Sequence, residues 1–150
     1  MSRLRTSTDP NSSENSYSDM TRGRIISRTL LVLYIIAVAV MCFARISTGI
    51  DMSSTWFGLP PDKIVHFTMF LPYTALVYLA FYRPGKRPWH MVLFLAATVA
   101  AGCLIAGGTE LIQGELQYRS ADITDFRADS IGIFTGSVIT LIWAIASKKW

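Results

Sequence analysis

The chain has 150 residues, the size of one domain; 51% of them are hydrophobic and the net charge is +4. A mean hydropathy of +0.38 is too apolar for an ordinary soluble domain, where apolar usage including Gly is about 45–50%. The pI of about 9.3 does not indicate nucleic acid, because the Lys and Arg residues flank apolar runs instead of gathering on a soluble domain.

Residues 1–22 are polar, rich in Ser, Thr and Asn, and without apolar periodicity. That composition buries too little surface to order itself, so it predicts a disordered tail ahead of a membrane domain over residues 23–150. Arg22, Arg24 and Arg28 lead into span one, Ile25 to Ala44, whose part from Leu30 onward carries no charge. At about 1.5 Å per residue, some 20 residues cross a hydrocarbon core of about 30 Å. A cleaved secretory signal is the alternative, since Ala37-Val38-Ala39 has the right small residues. A retained helix fits better, because the polar segment ahead of it is unusually long for a signal and the remaining apolar region would be short.

Gly49, Gly58 and the Pro60-Pro61 pair mark a loop after span one, with Trp56 and Phe57 as interfacial aromatics. Span two runs from Asp62 or Ile64 to about Tyr82, and Pro72 near its middle predicts a kink. A basic turn, Arg83 to Pro88, precedes span three, about Trp89 to Thr109. Span four is expected from Ile131, or as early as Ile123, to Ala146; its Gly132 and Gly136 form a GxxxG pair, a close-packing device. Cys42 and Cys103 fall inside apolar runs with neither metal nor disulfide spacing, and read as small core residues.

The fold class is therefore an all-α membrane protein, a bundle of four transmembrane helices. Eight basic residues near the span ends, Arg22, Arg24 and Arg28 before span one, Arg83, Lys86 and Arg87 between spans two and three, and Lys148 and Lys149 after span four, make that side cytoplasmic and the topology N-in, C-in. The opposite side carries seven of the ten acids against four basic residues, Arg45, Lys63, Arg119 and Arg127.

On that acidic side three elements can aim polar groups at one pocket. Asp62, Lys63 and His66 share a face at the head of span two, and Glu110 and Gln113 lie three apart at the foot of span three. Asp122, Asp125 and Asp129, spaced three and four, share a face if the approach to span four is helical. Bland roles exist for most of them. Asp62 fits the first turn of its helix, Lys63 can snorkel, His66 can be a hydrogen-bonded core residue, and Asp122 with Asp125 resembles a capping box. Glu110 is harder to dismiss, since it ends some twenty uncharged residues and ionisable groups at membrane depth are costly. Arg119 and Arg127 are the obvious counter-ions. Carboxylates with a histidine suit divalent-metal binding or general acid/base work, but no cofactor is dictated and a metal is only an option.

Assembled in order, these residues make the chain similar to the VanZ-like family of small bacterial membrane proteins. The match rests on Asp62-Lys63-x-x-His66-Phe67, Glu110-x-x-Gln113, and Arg119-x-x-Asp122-x-x-Asp125 leading through Asp129 to Gly132 and Gly136. It covers roughly residues 30–146. It departs at Asp129, where the family often has Asn, so whether that position needs charge or only polarity stays open. The resemblance implies a multi-pass protein of the bacterial cytoplasmic membrane whose named relative is associated with resistance to glycopeptide antibiotics such as teicoplanin. No reaction is implied. The readings carried forward are a protein that binds or modulates a cell-envelope component, an enzyme acting on a lipid-linked phosphate or sugar, and a purely structural ion-pair cluster. Expected partners are membrane lipids or a lipid-linked envelope precursor; oligomeric state is left open.

Overall fold

A computed structural model describes residues 10–43, 55, 58–83, 88–116 and 122–148. Trp56 and Phe57, most of the basic turn after span two, Arg119 and Lys149 lie outside the described residues. Five helices follow one another: α1 (Pro10–Phe43), α2 (Pro61–Phe70), α3 (Tyr73–Phe81), α4 (Pro88–Gly114) and α5 (Ile123–Ala146). They make four candidate membrane spans, Met20–Phe43, Pro61–Phe81, Trp89–Gly114 and Ile123–Ala146. The shortest has 21 residues, about 31 Å of helix, enough for a hydrocarbon core of about 30 Å. Large apolar side chains such as Ile36, Leu93, Leu104 and Ile142 are exposed on the bundle's outside, which water would penalise and lipid tails accept.

The first helix starts earlier than the apolar pattern predicts, at Pro10 inside the polar stretch expected to be a tail. Once a helix is nucleated, adding residues to its end is cheap, so a polar segment can continue it. Span three runs past its predicted end at Thr109 to Gly114, because Leu111 and Ile112 extend the apolar helix and the chain then turns at Glu115 and Leu116. Span four takes the earlier of its two predicted starts. Asp122 is its N-cap, with a side-chain oxygen accepting from the Thr124 N–H at 2.8 Å.

Span two is broken into α2 and α3 at Leu71-Pro72, where the proline ring supplies no N–H. The Tyr34 hydroxyl of α1 donates to the Met69 carbonyl at 2.8 Å, giving this irregular stretch a donor from a neighbouring helix. That is how a break is tolerated in a membrane span.

α5 is the hub, packed against α2, α3 and α4, while α1 lies mainly on α3. Spans two and four run parallel: Lys63 meets Asp125, His66 meets Asp129, Phe67 meets Gly132 and Leu71 meets Gly136. The two glycines set how close the backbones come. A Cβ on Gly132 would lie 2.4 Å from the Phe67 carbonyl oxygen, and one on Gly136 2.1 Å from that of Leu71. Beneath the polar end, Val38, Cys42, Phe70, Tyr73, Ala106 and Ile133 form one apolar core. A second core at the opposite end joins Tyr78, Met91, Leu95 and Ala144, with the Tyr78 ring stacked on Tyr82 and edge-on to Trp143. Neither Cys42 nor Cys103 forms a disulfide.

Candidate functional site

Parallel spans two and four bring the N-termini of α2 and α5 to the same end of the bundle, beside the C-termini of α1 and α4. Helix N-termini carry partial positive charge, which favours carboxylates in the first turn. Asp62 and Asp125 occupy such positions and Asp122 is a cap. The acids predicted to gather from distant parts of the sequence thus share one end for a backbone reason.

Lys63 organises the rim. Its Nζ lies 3.0 Å from Asp62 Oδ2 and 2.8 Å from Asp122 Oδ2, and also pairs with Asp125. One ammonium therefore bridges α2 to the start of α5. Asp122 is held well below the usual carboxylate range, first by the Lys63 hydrogen bond and then by the Thr124 N–H. Arg127 is exposed and forms no ion pair among the described residues. The cation serving the acids is Lys63, and the expectation for Arg127 is corrected. A side chain on the outer face of α5 cannot reach partners on the face packed against α2.

Deeper, His66 Nδ1 stands 2.9 Å from Asp129 Oδ1 and its Nε2 3.6 Å from Asp125 Oδ2. Facing a carboxylate, Nδ1 donates. His66 is 7% exposed, Glu110 6% and Asp129 not at all, so these three are interior groups. Glu110 Oε2 accepts the Asp122 backbone N–H at 3.1 Å. That completes a capping box in an unusual way: the N3 residue, Asp125, is engaged by Lys63, and a glutamate from another helix supplies the acceptor that N3 normally gives. Two oxygens in this interior, Glu110 Oε1 and Asp129 Oδ2, are buried without a hydrogen-bond partner among the described residues. A ring nitrogen of His66 and carboxylate oxygens of Glu110 and Asp129 lie within 4.8 Å of one another.

The structure thus brings together Asp62, Lys63, His66, Glu110, Asp122, Asp125 and Asp129. Gln113 has another use: its Nε2 donates to the Cys42 carbonyl at 2.9 Å, satisfying the last turn of α1, whose carbonyls have no helical partner. Arg119 lies outside the described residues. Pro72, Gly132 and Gly136 shape span two and its contact with span four, away from the acids.

A cleft of about 730 Å³ between α4 and α5 reaches this end, lined by Cys103, Gly107, Leu111 and Phe126 and closed by Glu110 and Asp122. Sequence reasoning missed its wall. The signal was there, because Cys103, Gly107 and Leu111 recur every four residues on one stripe of a helix, and glycine there leaves room for a chain.

Four apolar spans around a buried histidine–carboxylate cluster define a multi-pass helical membrane protein with a polar site at one end of its bundle. The model of the VanZ/LLP1 family matches residues 31–144. The chain belongs to that family, and the match takes in the second and third spans whole, the later half of the first, nearly all of the fourth and every acid of the cluster. Neither a curated protein nor a solved structure matches the chain.

Proposed function

We propose that this protein binds an amphiphilic component of the bacterial cell envelope, in the manner of a glycopeptide-resistance factor, at the outer end of its bundle. The tail lies in the cleft between α4 and α5 and the head meets the carboxylates. The observation that carries the reading is Glu110, which with Asp122 forms the polar part of a mainly apolar cleft and keeps one buried oxygen without a partner among the described residues. A purely structural cluster would satisfy such an atom, since a buried unpaired acceptor costs about 1–3 kcal/mol. Because the rim presents more carboxylates than cations, the fitting head carries N–H or O–H donors, as a hydroxylated or amino-bearing lipid-linked precursor does. The positive-inside pattern puts this end outside the cytoplasmic membrane, with both termini inside.

The second reading, an enzyme acting on a lipid-linked phosphate or sugar, draws on His66 standing between Asp125 and Asp129, a setting suited to proton transfer. A bare phosphate fits the rim poorly, because the one ammonium there among the described residues already serves three carboxylates.

Untargeted lipid analysis of the purified protein tests the proposal. The wild-type chain is expected to carry one amphiphile enriched over the surrounding membrane, and Glu110→Gln and Gly107→Leu are each expected to lose it. Lipid identical to that of the bulk membrane would overturn the reading. Chemical conversion of the enriched lipid on incubation, abolished in His66→Asn, would establish the enzyme.

A further inference from the structure

Amphiphile binding draws on Glu110 of the His66, Glu110 and Asp129 trio and leaves the chemistry of the other two unused. Each member comes from a different span: α2, α4 and α5. All three residues are more than nine-tenths buried, and among the described residues Glu110 Oε1 and Asp129 Oδ2 find no hydrogen-bond partner. The charges at this end are also unbalanced. Among the described residues, five carboxylates, Asp62, Glu110, Asp122, Asp125 and Asp129, gather with one lysine and one histidine. The lysine pairs only with the outer three acids, so Glu110 and Asp129 are left with the imidazole. Two interior carboxylates with spare lone pairs beside one imidazole call for further positive charge at that spot.

We propose that His66, Glu110 and Asp129 bind one divalent transition-metal ion of the Zn²⁺ class. One imidazole nitrogen with carboxylate oxygens is a donor set such ions accept, with bonds of about 2.0–2.2 Å. Two ligand atoms on one tetrahedral ion with such bonds stand about 3.3–3.6 Å apart, and the 2.9 Å between His66 Nδ1 and Asp129 Oδ1 reaches that spacing when the two side chains part by about half an ångström. An ion taking these two atoms replaces the proton they now share, and that proton leaves to solvent. The third ligand is within 4.8 Å, and rotation of the Glu110 side chain, which has three torsions, closes the difference. Asp125, 3.6 Å from the other ring nitrogen, then holds the imidazole in orientation, as outer carboxylates do for metal-bound histidines. Three protein ligands leave a coordination position open, and Glu110 places it beside the cleft. Metal binding goes beyond lipid binding and shares Glu110 with it, so Zn²⁺ titration and Asp129→Asn distinguish the two.

The test uses the full-length chain without a histidine tag, purified in detergent and stripped with a chelator. Calorimetric titration with Zn²⁺ is expected to show one saturable site per chain, and X-ray absorption of the loaded protein is expected to show imidazole and oxygen ligands without sulfur. Glu110→Gln and Asp129→Asn are expected to weaken Zn²⁺ binding by more than about 100-fold, beyond the ~10–100-fold that loss of an outer residue costs. Asp62→Asn is expected to leave it unchanged. Absence of saturable binding, sulfur ligation through Cys42 or Cys103, or undiminished affinity in Asp129→Asn would each overturn the site. Because the absorption spectrum is taken on the wild-type chain, it decides even if a variant fails to fold. Lipid analysis of the stripped protein reports on the amphiphile independently.

Discussion

Replacing Gly136 by alanine tests the link between helix packing and the polar cluster. The added Cβ would sit 2.1 Å from the Leu71 carbonyl oxygen and 3.2 Å from its carbon, whereas ordinary contact begins at 3.4 Å. The obstacle is backbone, so α5 must move away from the α2–α3 junction by about 1.3 Å rather than turn a side chain aside. Overpacking of this kind costs about 1–3 kcal/mol. A displacement of that size carried one turn or two along α5 would also stretch the 2.9 Å His66–Asp129 contact beyond hydrogen-bonding range. Gly108→Ala is the control: it lies in α4 with nothing within 4 Å of the new Cβ, and the better helix former is expected to stabilise by up to about 1 kcal/mol. Thermal unfolding in detergent, followed by near-UV circular dichroism, is expected to show Gly136→Ala melting earlier than wild type and Gly108→Ala at or above it. Equal melting of wild type and Gly136→Ala would refute the close-packing argument, and with it the register that aligns α2 with α5.

Three further outcomes are expected. Lys63→Met strips three carboxylates of their shared cation and is expected to destabilise by about 2 kcal/mol, between the ~0.2–1 kcal/mol of an exposed pair and the ~3–5 kcal/mol of a broken buried one; Asp62→Asn should cost less, and the two melting curves check the order. The depressed Asp122 carboxyl adds stability that is present above its unfolded value of about 3.9 and is lost as pH falls toward the folded value. Acid unfolding of wild type should therefore steepen below about pH 4–5, and Asp122→Asn should flatten that arm of the profile; an unchanged profile would show that Lys63 does not hold this acid in solution. A reporter fused after Trp150 should be active only in its cytoplasmic form, and an external signal would invert the orientation argued from Arg and Lys placement.

The spans were legible in the sequence because uninterrupted apolar runs of about twenty residues leave a chain few alternatives to a membrane helix. Asp122, Asp125 and Asp129 could be placed on one face from their spacing alone, and His66 could be set near them once four spans fixed which ends adjoin. Other features depended on three-dimensional neighbours. That Lys63, rather than Arg127, answers the acids follows from which side of α5 packs on α2, and spacing does not give that side. The role of Gln113 is set by where α1 ends, and the Glu110 contact to the Asp122 N–H spans a turn whose path no local pattern dictates. The cleft was overlooked because glycines in an apolar helix read equally well as packing contacts and as empty space; Gly132 is the first and Gly108 the second.

The break at Leu71-Pro72 makes α2 a ten-residue lever. Both basic groups of the cluster, Lys63 and His66, ride on it, while their partners Asp122, Asp125 and Asp129 ride on α5. A tilt of this one short rod, pivoting at the proline, would unmake the contacts between the two helices together instead of one by one. The polar end is thereby wired as a single latch, and occupancy of the site anywhere along α2 would be felt together at Asp122, Asp125 and Asp129.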